Sequence, residues 1–315
     1  MPQPKSTVKS RKIARPSVSI VGSGRLGQAL ALALHSSGYP ILALVARRAG
    51  HARKAAALIN KMEKPALALS SDELNRLPAS DVLLITTPDD AIKSTAESLA
   101  ISQRRARRGQ TVLHTSGALA SDVLGSLAKA GFYTGSLHPL VAINEPVAGA
   151  KALRGAFYCL EGDNAALVVA RLIVADLKGT SFSILPDNKA LYHAAAVMAS
   201  GHLVALFDLA TDLLASCGIR QRSARRILMP LVESTVNNLK VSDPDRALTG
   251  TFARGDLATV QRHLNALSKK QLGEALEVYR LLGLRSIRLA DNAGLEPHVF
   301  KQIRRALESA KSSGK

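Results

Sequence analysis

The chain has 315 residues, a length that suits about two domains. Its hydrophobic content of 47% is typical of soluble globular domains. Its two cysteines, Cys159 and Cys217, exclude a disulfide framework and favour a reducing cytoplasm, and no uncharged apolar stretch reaches the length needed to cross a membrane. The net charge of +18 suits anionic ligands, but aromatic residues amount to only 3% and Trp is absent, which leaves little surface for stacking nucleic-acid bases.

The first structural element follows a basic stretch, residues 1–15, which we expect to be a disordered tail. The β-branched run Val18–Val21 predicts a strand, and a Gly22-x-Gly24-x-x-Gly27 pattern and an apolar helix follow it. In a dinucleotide-binding turn these glycines permit a tight turn, the approach of a pyrophosphate and close helix packing, respectively. The helix N-terminus then holds the pyrophosphate. The alternative is a Rossmann-like domain that has lost its ligand.

The second predicted strand, Ile41–Val45, ends without the carboxylate that binds the ribose of NAD roughly 20 residues beyond the glycines. Arg47 and Arg48 follow it, and their guanidinium groups fit a 2′-phosphate, although solvated loop charges would look the same. The sequence therefore predicts NADP(H) as the cofactor. The residues expected to contact it are Gly22, Ser23, Gly24, Arg25, Leu26, Gly27, Arg47, Arg48, Thr87 and Pro88.

Strands and helices continue to alternate up to about residue 185. After a helix over His51–Lys61, the runs that predict strands are Ala66–Leu69, Asp81–Thr86, Thr111–His114, Phe132–Leu137, Ala156–Leu160 and Ser181–Ile184, with helices over 90–99, 121–130 and 165–175. This alternation predicts an α/β fold, a doubly wound Rossmann domain with a mostly parallel sheet, over residues 16–186.

From Asp187 onward the apolar residues recur at helical spacing and no strand run is apparent. We expect one long helix over Asp187–Cys217 that ends at Gly218. Further helices are expected near 220–239, 256–267, 273–290 and 297–310. Residues 187–315 are therefore predicted to form an all-α C-terminal domain.

Three segments follow the carboxyl ends of predicted strands, where open α/β sheets bind their ligands. The segment 86–90 should pass over the cofactor. Ser116 can donate a hydrogen bond to a substrate oxygen, with Gly117 beside it, and His138 can exchange a proton near neutral pH. The alternatives are a helix N-cap for Ser116 and a histidine packed at the domain seam for His138.

The predicted long helix opens with a second group of reactive side chains. Lys189, His193 and Ser200 share one face at about 100° per residue, and small side chains between them would let a ligand approach. An ammonium group and an imidazole four residues apart can polarise a carbonyl and donate a proton to it, unless they form an ordinary exposed first turn. Arg254, between two later helices, can hold a substrate carboxylate or form a structural ion pair. We expect no metal site.

The chain resembles the Rossmann-like proteins that carry a C-terminal domain of unknown function 2520, over most of its length. The resemblance is carried by residues 192–196 (Tyr-His-Ala-Ala-Ala) and by Thr249 and Gly250 with residues 253–256 (Ala-Arg-Gly-Asp). This family resembles a branch of the 6-phosphogluconate dehydrogenase-like superfamily, which includes ketopantoate reductase, pyrroline-5-carboxylate reductase and prephenate dehydrogenase.

The resemblance implies roles for individual residues. Lys189 is similar to the catalytic lysine of the β-hydroxyacid dehydrogenases, although His193 replaces the amide that they carry four residues later. His138 with Pro139 is similar to the His-Pro pair near the nicotinamide of prephenate dehydrogenases. The two likenesses nominate different proton donors, Lys189 and His138. They also imply that the helical domain forms a homodimer.

We therefore expect an NADPH-dependent reductase of a small 2-oxo acid or imine, with a ketopantoate-like compound as one candidate substrate. A second reading is a sensor or scaffold that binds NADP(H) without turnover. A third reading, against which the scarcity of aromatic residues argues, is a nucleic-acid binder that uses the arginine cluster in residues 104–108.

Overall fold

The computed structural model describes residues 15–59, 65–102, 109–270 and 272–310. The chain forms two compact units, one up to Ser200 and one from Gly201 onward, whereas the sequence analysis placed the domain boundary after residue 186. The arginine cluster at 104–108 and residues 1–14 of the expected tail lie outside the described residues. Arg15, also assigned to that tail, forms an ion pair of 2.6 Å with Asp176.

An eight-stranded sheet with the strand order β3-β2-β1-β4-β5-β6-β7-β8 forms the first unit. All neighbouring strands are parallel except β6 and β7. The prediction of a doubly wound, mostly parallel sheet is confirmed, and the strand order changes direction between β1 and β4, where such sheets bind ligands. The strands are β1 (Val18–Val21), β2 (Ile41–Ala46), β3 (Leu67–Ser70), β4 (Val82–Ile85), β5 (Thr111–His114), β6 (Tyr133–Pro139), β7 (Phe157–Gly162) and β8 (Thr180–Ser183).

Helices cover both faces of this sheet. Side chains alternate between the faces of a strand, so Val18 and Ile20 of β1 pack in one apolar core and Val21 in another. The first core contains residues of α1 and α6, and the second contains residues of α3 and α4. The helices of this unit are α1 (Arg25–Ser36), α2 (Ala49–Ala57), α3 (Asp89–Ser102), α4 (Gly125–Lys129), α5 (Pro146–Ala152), α6 (Asn164–Asp176) and α7 (Lys189–Ala199).

The second unit is helical throughout its described residues, as the sequence predicted. It has its own apolar core, in which Val260 and Leu264 pack with Leu276, Ile287 and Ile303. Its helices are α8 (Gly201–Ala215), α9 (Gln221–Val241), α10 (Pro244–Ala247), α11 (Leu257–Lys269), α12 (Gly273–Asn292) and α13 (Pro297–Ser309).

The single long helix predicted over Asp187–Cys217 is wrong. Ser200 has the non-helical angles φ −125° and ψ −73°, and it separates α7 from α8. A Ser–Gly pair is a frequent cause of helix breaks, because glycine is flexible and the serine hydroxyl competes for backbone carbonyls. Here the Ser200 hydroxyl donates to the Ala196 carbonyl at 3.1 Å. The predicted end of the helix at Gly218 agrees with its φ of +87°.

One helical stretch among the described residues, Pro186–Ala215, has the length and composition of a membrane span, with a mean hydropathy of 1.5 over an 18-residue window. The expectation that no uncharged apolar stretch is long enough is not contradicted, because this stretch contains Lys189 and Asp208 among its apolar residues. The interruption at Ser200 divides the stretch into two shorter helices.

Candidate active site

The glycine turn between β1 and α1 has the geometry that its spacing predicted. Gly22 has a φ of +112°, and a Cβ there would lie 2.6 Å from backbone atoms of Thr86 and Thr87. A Cβ on Gly27 would lie 2.1 Å from the Gly22 carbonyl oxygen. Gly24 differs, because a Cβ there would meet nothing within 4 Å. The first and third glycines therefore pack the turn, and the second leaves open space beside it.

Neighbouring side chains hold this turn in place. The Ser23 hydroxyl donates to the Val45 carbonyl at 2.7 Å, and the Thr86 hydroxyl donates to the Gly22 carbonyl at 2.5 Å. No side chain caps the start of α1. Its first amides therefore stay available to an anion, and the arrangement fits the pyrophosphate of a dinucleotide.

Three arginines surround the turn on the exposed surface. Arg25 opens α1, and Arg47 and Arg48 follow β2, where Arg48 is the residue that precedes α2. None of the three forms an ion pair within the described part of the chain. Their charges are therefore free for a phosphate, and the absence of a carboxylate at the end of β2 favours a cofactor with a 2′-phosphate.

The ends of β5, β6 and the start of α7 bring a second group together. His138 of β6 is half-buried, and its Nδ1 lies 2.6 Å from the hydroxyl oxygen of Tyr192 on α7. The ring centroid of His193 lies 5.7 Å from that of His138. A Cβ on Gly117 would lie 2.5 Å from Cδ2 of His193 and 2.8 Å from Nε2 of His138. Both imidazoles therefore face the backbone of Gly117.

Lys189 lies beneath this group rather than at its surface. Its ammonium group donates to the Ser116 carbonyl at 3.2 Å and to the Ser136 hydroxyl at 2.8 Å, and the residue is 1% exposed. Burial lowers the pKa of Lys189, and the carboxylates of Glu161 and Asp89 oppose that shift. In this position Lys189 supports the loop from below.

Ser116 is engaged in a similar way. Its hydroxyl donates to a carboxylate oxygen of Asp89 at 2.8 Å and accepts from the amides of Ala118 and Leu119. This is a turn capped by a serine hydroxyl and not the helix N-cap named as the alternative, because the next helical segment begins only at Ser121 and is preceded by Ala120. A role of Ser116 as a substrate ligand stays a prediction.

Two histidines in this region are held uncharged near neutral pH. Burial, followed by repulsion from Lys189, lowers the pKa of His138 to about 4. The same two causes lower the pKa of His114, at the end of β5, to about 4. The ring of His114 accepts from the Ser116 amide and bonds to the Ala120 carbonyl, so this histidine fixes the loop. A neutral His138 is a hydrogen-bond donor or acceptor, not a cationic acid.

The structure therefore brings together His138, His193 and Gly117 with Lys189 and Ser116 behind them. Ser200 ends α7 on the exposed surface, and Arg254 lies in the second unit, exposed, in the turn before α11. The substrate contacts expected of these two residues stay predictions. The described residues contain no group of three His, Cys, Asp or Glu side chains suited to a metal ion.

Five residues that complete this group were not predicted from the sequence. They are Tyr192, Asp89, His114, Ser136 and Cys159. Tyr192 stands three residues after Lys189, so helical spacing would have placed both on one face. The contacts of Cys159 and Ser136 depend on strand pairing, of which a single sequence gives no direct sign.

A sheet of this order, with a glycine turn and an uncapped helix at the end of β1, defines the Rossmann class of fold. Residues 1–139 match the family model of the Rossmann-like domain. Residues 156–286 match that of DUF2520, a domain of unknown function. The chain is a Rossmann-like protein with a C-terminal DUF2520 domain, which confirms the resemblance seen in its sequence. Among curated proteins, no match was found.

Solved structures with the same fold share little sequence with the chain. A proposed NADP oxidoreductase from Bacteroides fragilis is 19% identical, with a TM-score of 0.69 over 87% of this chain and 98% of its own. Protein TM1727 from Thermotoga maritima is 24% identical, with a TM-score of 0.60 over 93% and 98%. The 1-pyrroline-5-carboxylate reductase of Streptococcus pyogenes is 14% identical, with a TM-score of 0.55 over 95% and 100%. At these identities the likeness concerns the fold.

Proposed function

We propose that the protein is an NADP(H)-dependent oxidoreductase that reduces a small 2-oxo acid or an imine. The observation that carries this proposal is the open space at Gly24 in front of the uncapped start of α1, beside arginines that form no ion pair with any described residue. The names of two similar structures, an NADP oxidoreductase and a 1-pyrroline-5-carboxylate reductase, support the same class of reaction.

The cofactor half of the site requires little movement of the protein. The amides of Arg25, Leu26 and Gly27 would hold the pyrophosphate, and Arg47 and Arg48 would pair with the 2′-phosphate. NADPH supplies hydride when it is bound. Thr87 and Pro88, in the loop after β4 that contacts Gly22, are the predicted contacts on the far side of the turn.

The substrate half would be formed around Gly117. His138 and His193 present imidazole nitrogens and carbons to this position, and either ring can hydrogen-bond a carbonyl oxygen or imine nitrogen. Lys189 and Ser116 hold the loop that carries Gly117, so their contribution is to fix its shape. Arg254 remains the proposed partner of a substrate carboxylate.

A titration of the purified protein with NADPH and NADH, followed by cofactor fluorescence, tests the cofactor. Because the chain contains no Trp, its own fluorescence interferes little. We expect tight binding of NADPH and weak binding of NADH. Binding of neither would overturn the proposal. A screen of 2-oxo acids and imines by NADPH absorbance then tests the reaction, and binding without any turnover would favour a sensor or scaffold.

We also propose that the protein acts as a homodimer in the cytoplasm. Large apolar side chains are exposed on the helical unit: Val204 is 69%, Leu231 65% and Val241 83% exposed. Such a surface is typical of an interface. Free Cys159 and Cys217 suit a reducing compartment. Leu231→Asp should lower the mass found by light scattering to that of one chain, whereas a single-chain mass for the wild type would contradict the dimer.

A further inference from the structure

The contact between Tyr192 and His138 holds the imidazole in one orientation. The Tyr192 hydroxyl lies 2.6 Å from Nδ1 of His138, and the two rings meet edge to face with 5.5 Å between centroids. Phe182 of β8 packs against Tyr192, with 5.9 Å between centroids. Tyr192 is therefore fixed by packing as well as by its hydrogen bond. The remaining nitrogen of His138, Nε2, faces Gly117.

The direction of this hydrogen bond follows from the chemistry of its two partners. In one arrangement the Tyr192 hydroxyl donates to Nδ1, and the proton of the neutral imidazole is on Nε2. In the other arrangement, Nδ1–H donates to the phenol oxygen. A neutral phenol is a stronger donor and a weaker acceptor than a neutral imidazole nitrogen, so the first arrangement is the more stable.

We propose that Tyr192 is a positioning residue that holds His138 in the tautomer protonated on Nε2, so that an N–H donor points at the reacting oxygen or nitrogen. The role toward a substrate rests on the proposed reductase function, whereas the tautomer does not depend on it. Burial supports the arrangement, because it raises the pKa of Tyr192 and keeps the phenol protonated. It also keeps His138 uncharged.

A second pair in the helical unit provides a matched control. Nδ1 of His263 lies 2.8 Å from the Tyr279 hydroxyl, and these rings also meet edge to face, with 5.7 Å between centroids. Tyr279→Phe therefore removes the same hydrogen bond at another place in the chain, as Tyr192→Phe does at the site. Both substitutions keep the aromatic ring and its packing.

Long-range nitrogen–proton NMR spectra of the full-length protein, labelled with ¹⁵N at histidine, measure the tautomers directly. We expect His138 of the wild type to be protonated on Nε2 and neutral at pH 7. Tyr192→Phe should shift His138 to a mixture of tautomers, whereas Tyr279→Phe should leave the His138 signals unchanged. A wild-type His138 protonated on Nδ1, or one unaltered by Tyr192→Phe, would overturn the proposal. The wild-type spectrum alone decides the tautomer if the variant does not fold.

Steady-state kinetics separate this proposal from the proposed function. With any substrate found by the screen, Tyr192→Phe should lower kcat by about 10-fold or more while changing KM and NADPH affinity less than 2-fold, since a misplaced donor acts on the reaction step. Unchanged kcat in Tyr192→Phe would remove the positioning role and leave the reductase intact. Failure of the wild type to bind NADPH would remove the reductase, and the NMR result would still decide the tautomer.

Discussion

The two halves of the candidate site are built in opposite ways. At the end of β1 the polypeptide backbone forms the site, with glycines, an uncapped helix start and exposed arginines. At the ends of β5 and β6 buried side chains form it, and they bond to one another across 53 to 73 residues of sequence. The glycine turn is made of neighbours in sequence and leaves open space, whereas the group around His138 is made of residues far apart in the sequence.

This difference has a chemical consequence. An anion needs donors that are already free, and the start of a helix supplies them without any partner. A reacting carbonyl needs one donor at one angle, and packing must hold that donor in place. The interlocked group around His138 meets the second need, since Lys189, Ser116 and Tyr192 are each committed to another protein group.

The largest effect is expected from filling the open space at Gly24 in the cofactor half. Gly24 has extended angles, φ −72° and ψ −169°, which any residue adopts, so Gly24→Val should fold normally. It should weaken NADPH binding by about 100-fold or more, the equivalent of two lost hydrogen bonds to charged oxygens. Fluorescence titration measures the affinity. Gly125→Val is the control, because a Cβ there also meets nothing within 4 Å. Wild-type affinity in Gly24→Val would show that the cofactor does not approach this turn.

A methyl group added in the substrate half should impair turnover and leave NADPH binding unchanged. Gly117→Ala would place a carbon 2.5 Å from His193 and 2.8 Å from His138, so both rings must move. We expect kcat/KM to fall by about 100-fold, as small displacements of catalytic groups do, with NADPH affinity unchanged. Turnover of a substrate found by the screen measures kcat/KM, and fluorescence titration measures the NADPH affinity. Normal turnover in this variant would mean that neither imidazole takes part in the reaction.

The arginines after β2 should distinguish NADPH from NADH within the cofactor half. The double variant Arg47→Ala and Arg48→Ala should weaken NADPH binding by about 10- to 100-fold, which is the effect of one or two lost ion pairs with phosphate. NADH binding should stay within 2-fold of its wild-type value, because NADH lacks the 2′-phosphate. Arg171→Ala, exposed on α6, is the control. Equal losses for both cofactors would assign the arginines to the shared part of the dinucleotide.

Low pH should destabilise the protein through the buried histidines of the substrate half. The pKa values of His114 and His138 are lowered from the ordinary 6.5 to about 4. Between these two pH values the unfolded chain therefore binds protons that the folded chain does not bind. The full free energy of unfolding is therefore reached above pH 6.5. It decreases as the pH falls toward 4, by about 1.4 kcal/mol per pH unit for each histidine. Urea unfolding between pH 7 and 4.5 measures it. His138→Asn should flatten the slope, and exposed His51→Asn should not. Equal slopes in all three proteins would contradict the shift.

Much of the fold followed from the residues themselves. Alternating strand and helix runs predicted the doubly wound sheet, and the spacing of Gly22, Gly24 and Gly27 predicted the turn, because both are local consequences of backbone geometry. The break at Ser200 was missed, since the apolar pattern continues through it and only the Ser–Gly pair indicates it. Helix α5 was also missed, although Glu145, whose side chain accepts from two amides of its first turn, and Pro146 are typical of a helix start.

The candidate site likewise contains features that follow from local sequence and features that depend on packing. The glycine turn, the arginines after β2 and the candidates Ser116, His138, Lys189 and His193 could be predicted, since they depend on residue type and on position along a strand or helix. Three further features depend on tertiary packing: Lys189 lies beneath the loop, the Ser116 hydroxyl is occupied, and Tyr192 reaches His138. Those contacts join α3, the loop after β5, β6 and α7, and they depend on how these elements pack, which no local pattern of residues contains.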